Sequence, residues 1–90
     1  MLEDREIMFR CGMYIRYMRD KKKMTGYELG RHLNITQQQI SRYERGVTVI
    51  NVIMLNKIIN TLDLCWHDFI QQVCYSKSPF WQENDKLNLV

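Results

Sequence analysis

Proline occurs once in this 90-residue chain and glycine four times. A sandwich or barrel built from many short strands uses both at its turns, so their scarcity leaves helices as the expected elements. Cysteine is sparse as well. Cys11, Cys65 and Cys74 are odd in number, widely separated and form no C-x-x-C pair, which argues against a disulfide framework or a zinc ribbon. They read as reduced thiols of a cytosolic protein, used as small apolar residues. His32 and His67 lie far apart without companion ligands at metal-binding spacing, so no metal site is expected. No apolar run approaches the roughly 20 residues of a membrane span. The opening MLEDREIMFR places acidic residues where a secretory signal carries basic ones, and a cytoplasmic location is expected. Paired carboxylates, a nucleophile–base set and a phosphate-cradling glycine loop are all missing, so neither catalysis nor a cofactor nor a small-molecule substrate is expected.

What is present is a helical pattern with an uneven charge. Hydrophobic residues make up 46% of the chain, enough for one core at a length near the lower limit for independent folding. Net charge is only +3, but its distribution is lopsided. Residues 10–46 hold nine Lys/Arg and three Asp/Glu, a net of +6; residues 47–90 hold three and four, a net of −1. Such asymmetry inside one small domain points to an anionic partner for the first half.

Met8, Cys11, Ile15 and Met18 recur at spacings of three and four, with Ile7 and Tyr14 flanking, and so share one face of a first helix. Asp20-Lys21-Lys22-Lys23 ends it, its cations complementing the helix dipole. Thr25 and Glu28 have the spacing of a capping box, with Met24 as the staple position, for a second helix over 26–33 that buries Leu29 and Leu33. Asn34-Ile35-Thr36 is a turn in which Asn34 tolerates the left-handed backbone. Thr36 and Gln39 repeat the capping-box spacing for a third helix over 37–45, burying Ile40 and Tyr43 and stopped by Gly46. A fourth helix over 51–62 opens on Asn51 and carries Val52, Leu55, Ile58, Ile59 and Leu62 as its stripe. After a break at Asp63-Leu64, a fifth over 66–74 presents Trp66, Phe69, Ile70 and Val73. These elements define a domain over 7–74, followed by a tail over 75–90 that could serve dimerisation.

The second and third helices meet a specific physical demand. Two short helices that cross steeply need a small residue at the contact (Gly30), a permissive turn residue (Asn34), and apolar residues that lock the pair to a core (Leu29, Ile35, Ile40). Together, in register, these form a helix-turn-helix. Gln37-Gln38-Gln39 then occupies the leading turn of the third helix. A glutamine amide can bond bidentately to adenine N6 and N7 in the major groove, so Gln37 and Gln38 are expected to touch bases. Ser41 and Arg42 follow one turn later as further base-contact candidates, although phosphate is the commoner partner of an arginine.

The stretch 15–64, and most specifically ELGRHLNITQQQISRYERG, resembles the Cro/C1-type (Xre) family of all-α, five-helix, lambda repressor-like DNA-binding domains. The resemblance implies a recognition helix at 37–45, homodimeric binding to palindromic double-stranded DNA, and no catalysis. It implies a pair between Arg19 and Glu44, joining the first helix to the end of the recognition helix. Phosphate contacts are expected from Lys21, Lys22, Lys23, Tyr27, Thr36, Gln39 and Arg45. At Gly26 this family usually carries a glutamine that holds a phosphate; here only the backbone N–H remains. The words ELGRHLN and QQQISRYERG are also similar to small regulators of fimbrial operons, which link adhesion to motility. Because the basic face must stay on DNA, Trp66, Phe69, Phe80 and Trp81 are the candidate dimer contacts, although some of them, Trp66 first, must also close the monomer core. Other readings open to the same domain are an antitoxin, a restriction-modification controller, and a protein-interaction adaptor that no longer binds DNA.

Overall fold

The computed structural model describes residues 2–77, which form α1 (Asp4–Lys21), α2 (Gly26–Leu33), α3 (Gln37–Glu44), α4 (Val52–Thr61) and α5 (Trp66–Ile70). The last continues as a π-helical turn over Gln71–Tyr75. The fold is all-α, as expected, with no strand among the described residues. The fifth helix is therefore one short α segment that widens into a π turn, where a regular helix over 66–74 was expected. The first helix begins at Asp4, earlier than Ile7. Phe80, Trp81 and most of the 75–90 tail lie outside the described residues.

One joint recurs through the chain. Lys23, Asn34, Gly46 and Asp63 all adopt the left-handed conformation, with φ of 56°, 60°, 72° and 54°. At each, the residue's own N–H bonds to the carbonyl three residues back and the next N–H reaches five back, as Asn34 to Arg31 and Ile35 to Gly30. This double bond satisfies carbonyls orphaned at a helix end and turns the chain sharply. Met24, Ile35 and Leu64, which follow three of these joints, pack on the core. Helix starts are equally defined. Thr25 and Glu28 make the full capping box, and the Thr25 N–H holds the Glu28 carboxyl below its usual range. Asn51 caps α4 through the Met54 N–H. At Thr36 only half of the expected box forms: its hydroxyl accepts from the Gln39 N–H, and the reciprocal bond is not made.

The core joins Met13, Tyr14 and Ile15 of α1 to Leu29, Leu33, Ile40, Tyr43, Leu55, Ile58, Ile59, Leu62, Phe69 and Val73. The Phe69 ring meets Tyr14 and Trp66 edge-on, at 5.5 and 5.7 Å between centroids, a favoured aromatic geometry. Burial also pushes the Cys11 thiol up to about 11, which keeps it protonated and unreactive. Two expected stripe residues stay outside. Val52 is 72% exposed and Ile70 40% exposed, because the stripe of α4 runs past the core at its first turn and α5 turns Phe69 inward instead.

Two contacts fix α3 against α1. Gly12 is buried, and a Cβ there would lie 2.4 Å from the carbonyl oxygens of Tyr43 and Glu44. The end of α3 thus rests directly on the α1 backbone. Arg19 then clamps it: its Nε and Nη2 donate to the two Glu44 carboxylate oxygens at 2.6 and 2.9 Å, while Nη1 donates to the Met24 carbonyl at 2.8 Å. The Glu44 hydrogen bond holds Arg19 protonated more firmly than usual. Glu44 is buried, so the bidentate pair replaces the water both charges give up. A second arginine, Arg10, ties α1 to the π turn that follows α5. It pairs with Glu6 at 3.1 Å and donates to the carbonyls of Val73 and Ser76, which the π turn leaves open.

Two stability outcomes follow from these contacts. Gly12→Ala should destabilise the domain by about 3 kcal/mol in urea unfolding, because backbone rather than a flexible side chain must move. Glu44→Ala should cost about 3 kcal/mol by leaving Arg19 unpaired in a largely desolvated place. The Arg19→Ala/Glu44→Ala double variant should lose less than the sum of the singles; additive losses would show that the pair contributes no coupling.

Candidate nucleic-acid interface

Helix α3 is two-faced by construction. Ile40, Tyr43 and Glu44 point into the domain, while Gln37, Gln38, Ser41, Arg42 and Arg45 are exposed. Positions 37, 38, 41, 42 and 45 form one outward stripe, as the helical repeat requires. Gln39, which begins the next stripe, is half-buried. The Thr36 cap leaves the leading turn intact, and Gly30 sets how closely the two helices cross. A Cβ at Gly30 would lie 2.7 Å from the Ile35 carbonyl oxygen, so no larger residue fits without opening the turn.

Most cations of this basic half of the chain are left unneutralised. Arg10 and Arg19 are engaged by Glu6, Asp20 and Glu44. Among the described residues no carboxylate pairs with Arg16, Lys21, Lys22, Lys23, Arg31, Arg42 or Arg45. Lys21 lies over the Tyr17 ring at 5.8 Å and Arg31 over the exposed Tyr27 ring at 6.0 Å, contacts that orient a cation without cancelling it. Arg45 folds back to donate to the Ser41 carbonyl at 3.3 Å. Thr36 is exposed, and its hydroxyl keeps a proton to donate after accepting from Gln39.

The structure brings together at one end of the domain the leading turn of α3, the start of α2 at Gly26 and Tyr27, and Arg16, Arg19 and Arg45. Sequence reasoning missed Arg16, which lines this cleft from α1. It also missed Gly12, although a glycine inside a helix costs about 1 kcal/mol relative to alanine and so signals a packing demand. For Arg10 only the i,i+4 spacing to Glu6 is local; the carbonyls it holds, of Val73 and Ser76, lie more than 60 residues away.

The expected dimer residues separate. Phe69 is buried within the monomer core, so its ring is not presented to a second copy. Trp66 is half-buried, with its ring N–H donating to the Asn56 side chain at 3.1 Å. Phe80 and Trp81 fall outside the described residues. Val47, Val49, Val52 and Ile53 instead form an exposed apolar run directly after the recognition helix, each 61% exposed or more. No described helix is long and apolar enough to cross a membrane, and among the described residues no three His, Cys, Asp or Glu side chains gather around a possible metal position.

No curated protein matches the chain. A protein-family model described as helix-turn-helix, of Cro/C1 type, matches residues 15–65, which includes α2, the turn, α3, all of α4 and Arg19 of α1. The chain belongs to this helix-turn-helix family of DNA-binding transcription regulators.

Proposed function

We propose that the protein is a sequence-specific repressor that binds a palindromic operator as a homodimer. The observation that carries the reading is the outward stripe of α3, with Gln37 and Gln38 exposed on its leading turn and the exposed cations Arg42 and Arg45 behind them. Gln37 and Gln38 read base edges, with Ser41 and Arg42 one turn behind. Lys21, Lys22, Lys23, Tyr27, Thr36, Gln39 and Arg45, with the Gly26 N–H, hold the phosphates and set the register. The similarity of ELGRHLN and QQQISRYERG to fimbrial-operon regulators supports target genes of adhesion or motility.

A single recognition helix covers too few base pairs to find one site among genomic competitors, which is why two copies are needed. Symmetry would set the two α3 helices roughly 34 Å apart, one turn of DNA. The Val47, Val49, Val52 and Ile53 run supports a contact between copies next to the basic surface, since exposed apolar clusters mark interaction sites. Trp66, Phe80 and Trp81 remain candidates for the same role.

Base reading and phosphate holding separate by experiment. Gln38→Ala should cost about 1–3 kcal/mol on the cognate operator and much less on random duplex. Lys22→Ala should weaken both duplexes about equally and lower the salt slope by about 1. Equal losses for Gln38→Ala would refute base reading, and a wild-type protein without steep salt dependence would favour the adaptor reading.

For assembly, Ile53→Asp should shift the protein from dimer to monomer in sedimentation at tens of micromolar and weaken operator binding, with helical circular dichroism unchanged. Truncation after Ser78 tests the tail in the same measurement. A wild-type protein that sediments as a monomer would remove the dimer from this reading.

A further inference from the structure

Where α1 faces α5 and the π turn, a cleft of about 250 Å³ opens, separate from the one beside α3. Tyr14, Met18 and Lys21 line it from α1, and Asp68, Gln71 and Gln72 line it from across the gap. Spacings of three and four residues put each trio on a single helical face. Lys21 and Asp68 bring opposite charges to this opening, yet neither makes an ion pair with the other or with any other described residue. Gln72 Oε1 is closed off from solvent and accepts no hydrogen bond among the described residues, an acceptor left wanting a donor. The π turn begins at Gln71, whose carbonyl accepts from the Ser76 N–H at 2.9 Å, and wide turns of this kind recur at functional sites. Burial, and next the Asp68 charge, push the Tyr14 phenol above its usual range, so the carboxylate lies within electrostatic reach of the cleft's aromatic wall.

An unpaired cation and an unpaired anion on opposite walls of one small opening are the electrostatic complement of a zwitterion. The geometry points to this cleft as a binding site for a free amino acid with an apolar side chain. Lys21 takes its carboxylate; Asp68 and the Gln72 carbonyl, after rotation of that amide, take its ammonium; Met18 and the Tyr14 ring take its side chain. An ammonium carries three donors, enough for Asp68 and the orphaned amide oxygen together. A simple amine leaves Lys21 unpaired, and a simple carboxylate leaves both acceptors unpaired, so only the zwitterion answers all three groups. A volume below the roughly 300–1,000 Å³ of drug-sized ligand sites suits so small an occupant. The site goes beyond DNA binding, and its consequence for DNA rests on that reading. Lys21 is one of the cations assigned to backbone phosphate, so a bound amino acid withdraws it from the duplex. Linkage then makes DNA and amino acid weaken each other by the same factor.

Calorimetric titration of the full-length chain with glycine, L-alanine and L-leucine tests the site without DNA. L-Leucine should saturate one-to-one with a Kd on the order of 0.1–1 mM, and binding should weaken as the side chain shrinks to glycine. L-Leucinamide, which lacks the carboxylate, and 4-methylpentanoate, which lacks the ammonium, should each bind about tenfold more weakly or worse. Asp68→Asn and Lys21→Met should lose L-leucine to the same extent while unfolding at the wild-type temperature, since both side chains are exposed. On duplex, saturating L-leucine should lower the wild-type salt slope by about 1. Asp68→Asn should keep its duplex affinity and slope whether or not L-leucine is present. No saturation by any of the three amino acids below about 10 mM, or equal affinity for L-leucine and L-leucinamide, would overturn the site. Saturation by L-leucine with an unchanged slope would overturn only the withdrawal of Lys21. A wild-type protein whose duplex binding lacks salt dependence would defeat the DNA-binding reading, while saturation in the calorimeter would still uphold the site.

Discussion

The attachment of α3 to α1 is the constraint on which the interface depends. A reading helix of eight residues is too short to hold its own shape or direction in water. Gly12 removes the Cβ that would keep the two backbones apart, and the Arg19–Glu44 pair then locks the end of α3 in that position. Each contact needs the other. The close approach brings Glu44 within bidentate reach, and the pair repays desolvation that the approach imposes. Everything exposed on the opposite face of α3 takes its direction from this one buried joint.

The same arrangement sorts the positive charge by role. Arg10 and Arg19 lie inside, paired with acids and bonded to backbone carbonyls at helix ends. The lysines after α1 and the arginines around α3 have no acid partner among the described residues, so the surface keeps its field. Composition alone treats all these residues alike. Their burial divides them into structural clamps and cations available to an anionic partner.

Much of this was legible in the chain because the determining signals are local. A capping box at Thr25, a left-handed Asn34, a small Gly30 and a C′ Gly46 each act within a few residues. Their agreement identified the two crossing helices and the glutamines on the leading turn of the second. Other readings failed where a local pattern met a tertiary boundary. Val52 belongs to an apolar stripe, yet the stripe runs past its neighbours; Phe69 had a plausible place at an interface, yet its ring completes the core with Tyr14 and Trp66.

By itself, then, the sequence determined the helices, their caps and stops, and the basic character of the first half, since each depends on short-range sterics and hydrogen bonding. Only the tertiary structure decided which glycine admits a neighbouring backbone, which arginines are clamped, and that Arg16 shares a cleft with Gly26 and Arg45. Those outcomes depend on residues 10 to 66 positions apart meeting in space. No periodicity or spacing along the chain records such a meeting.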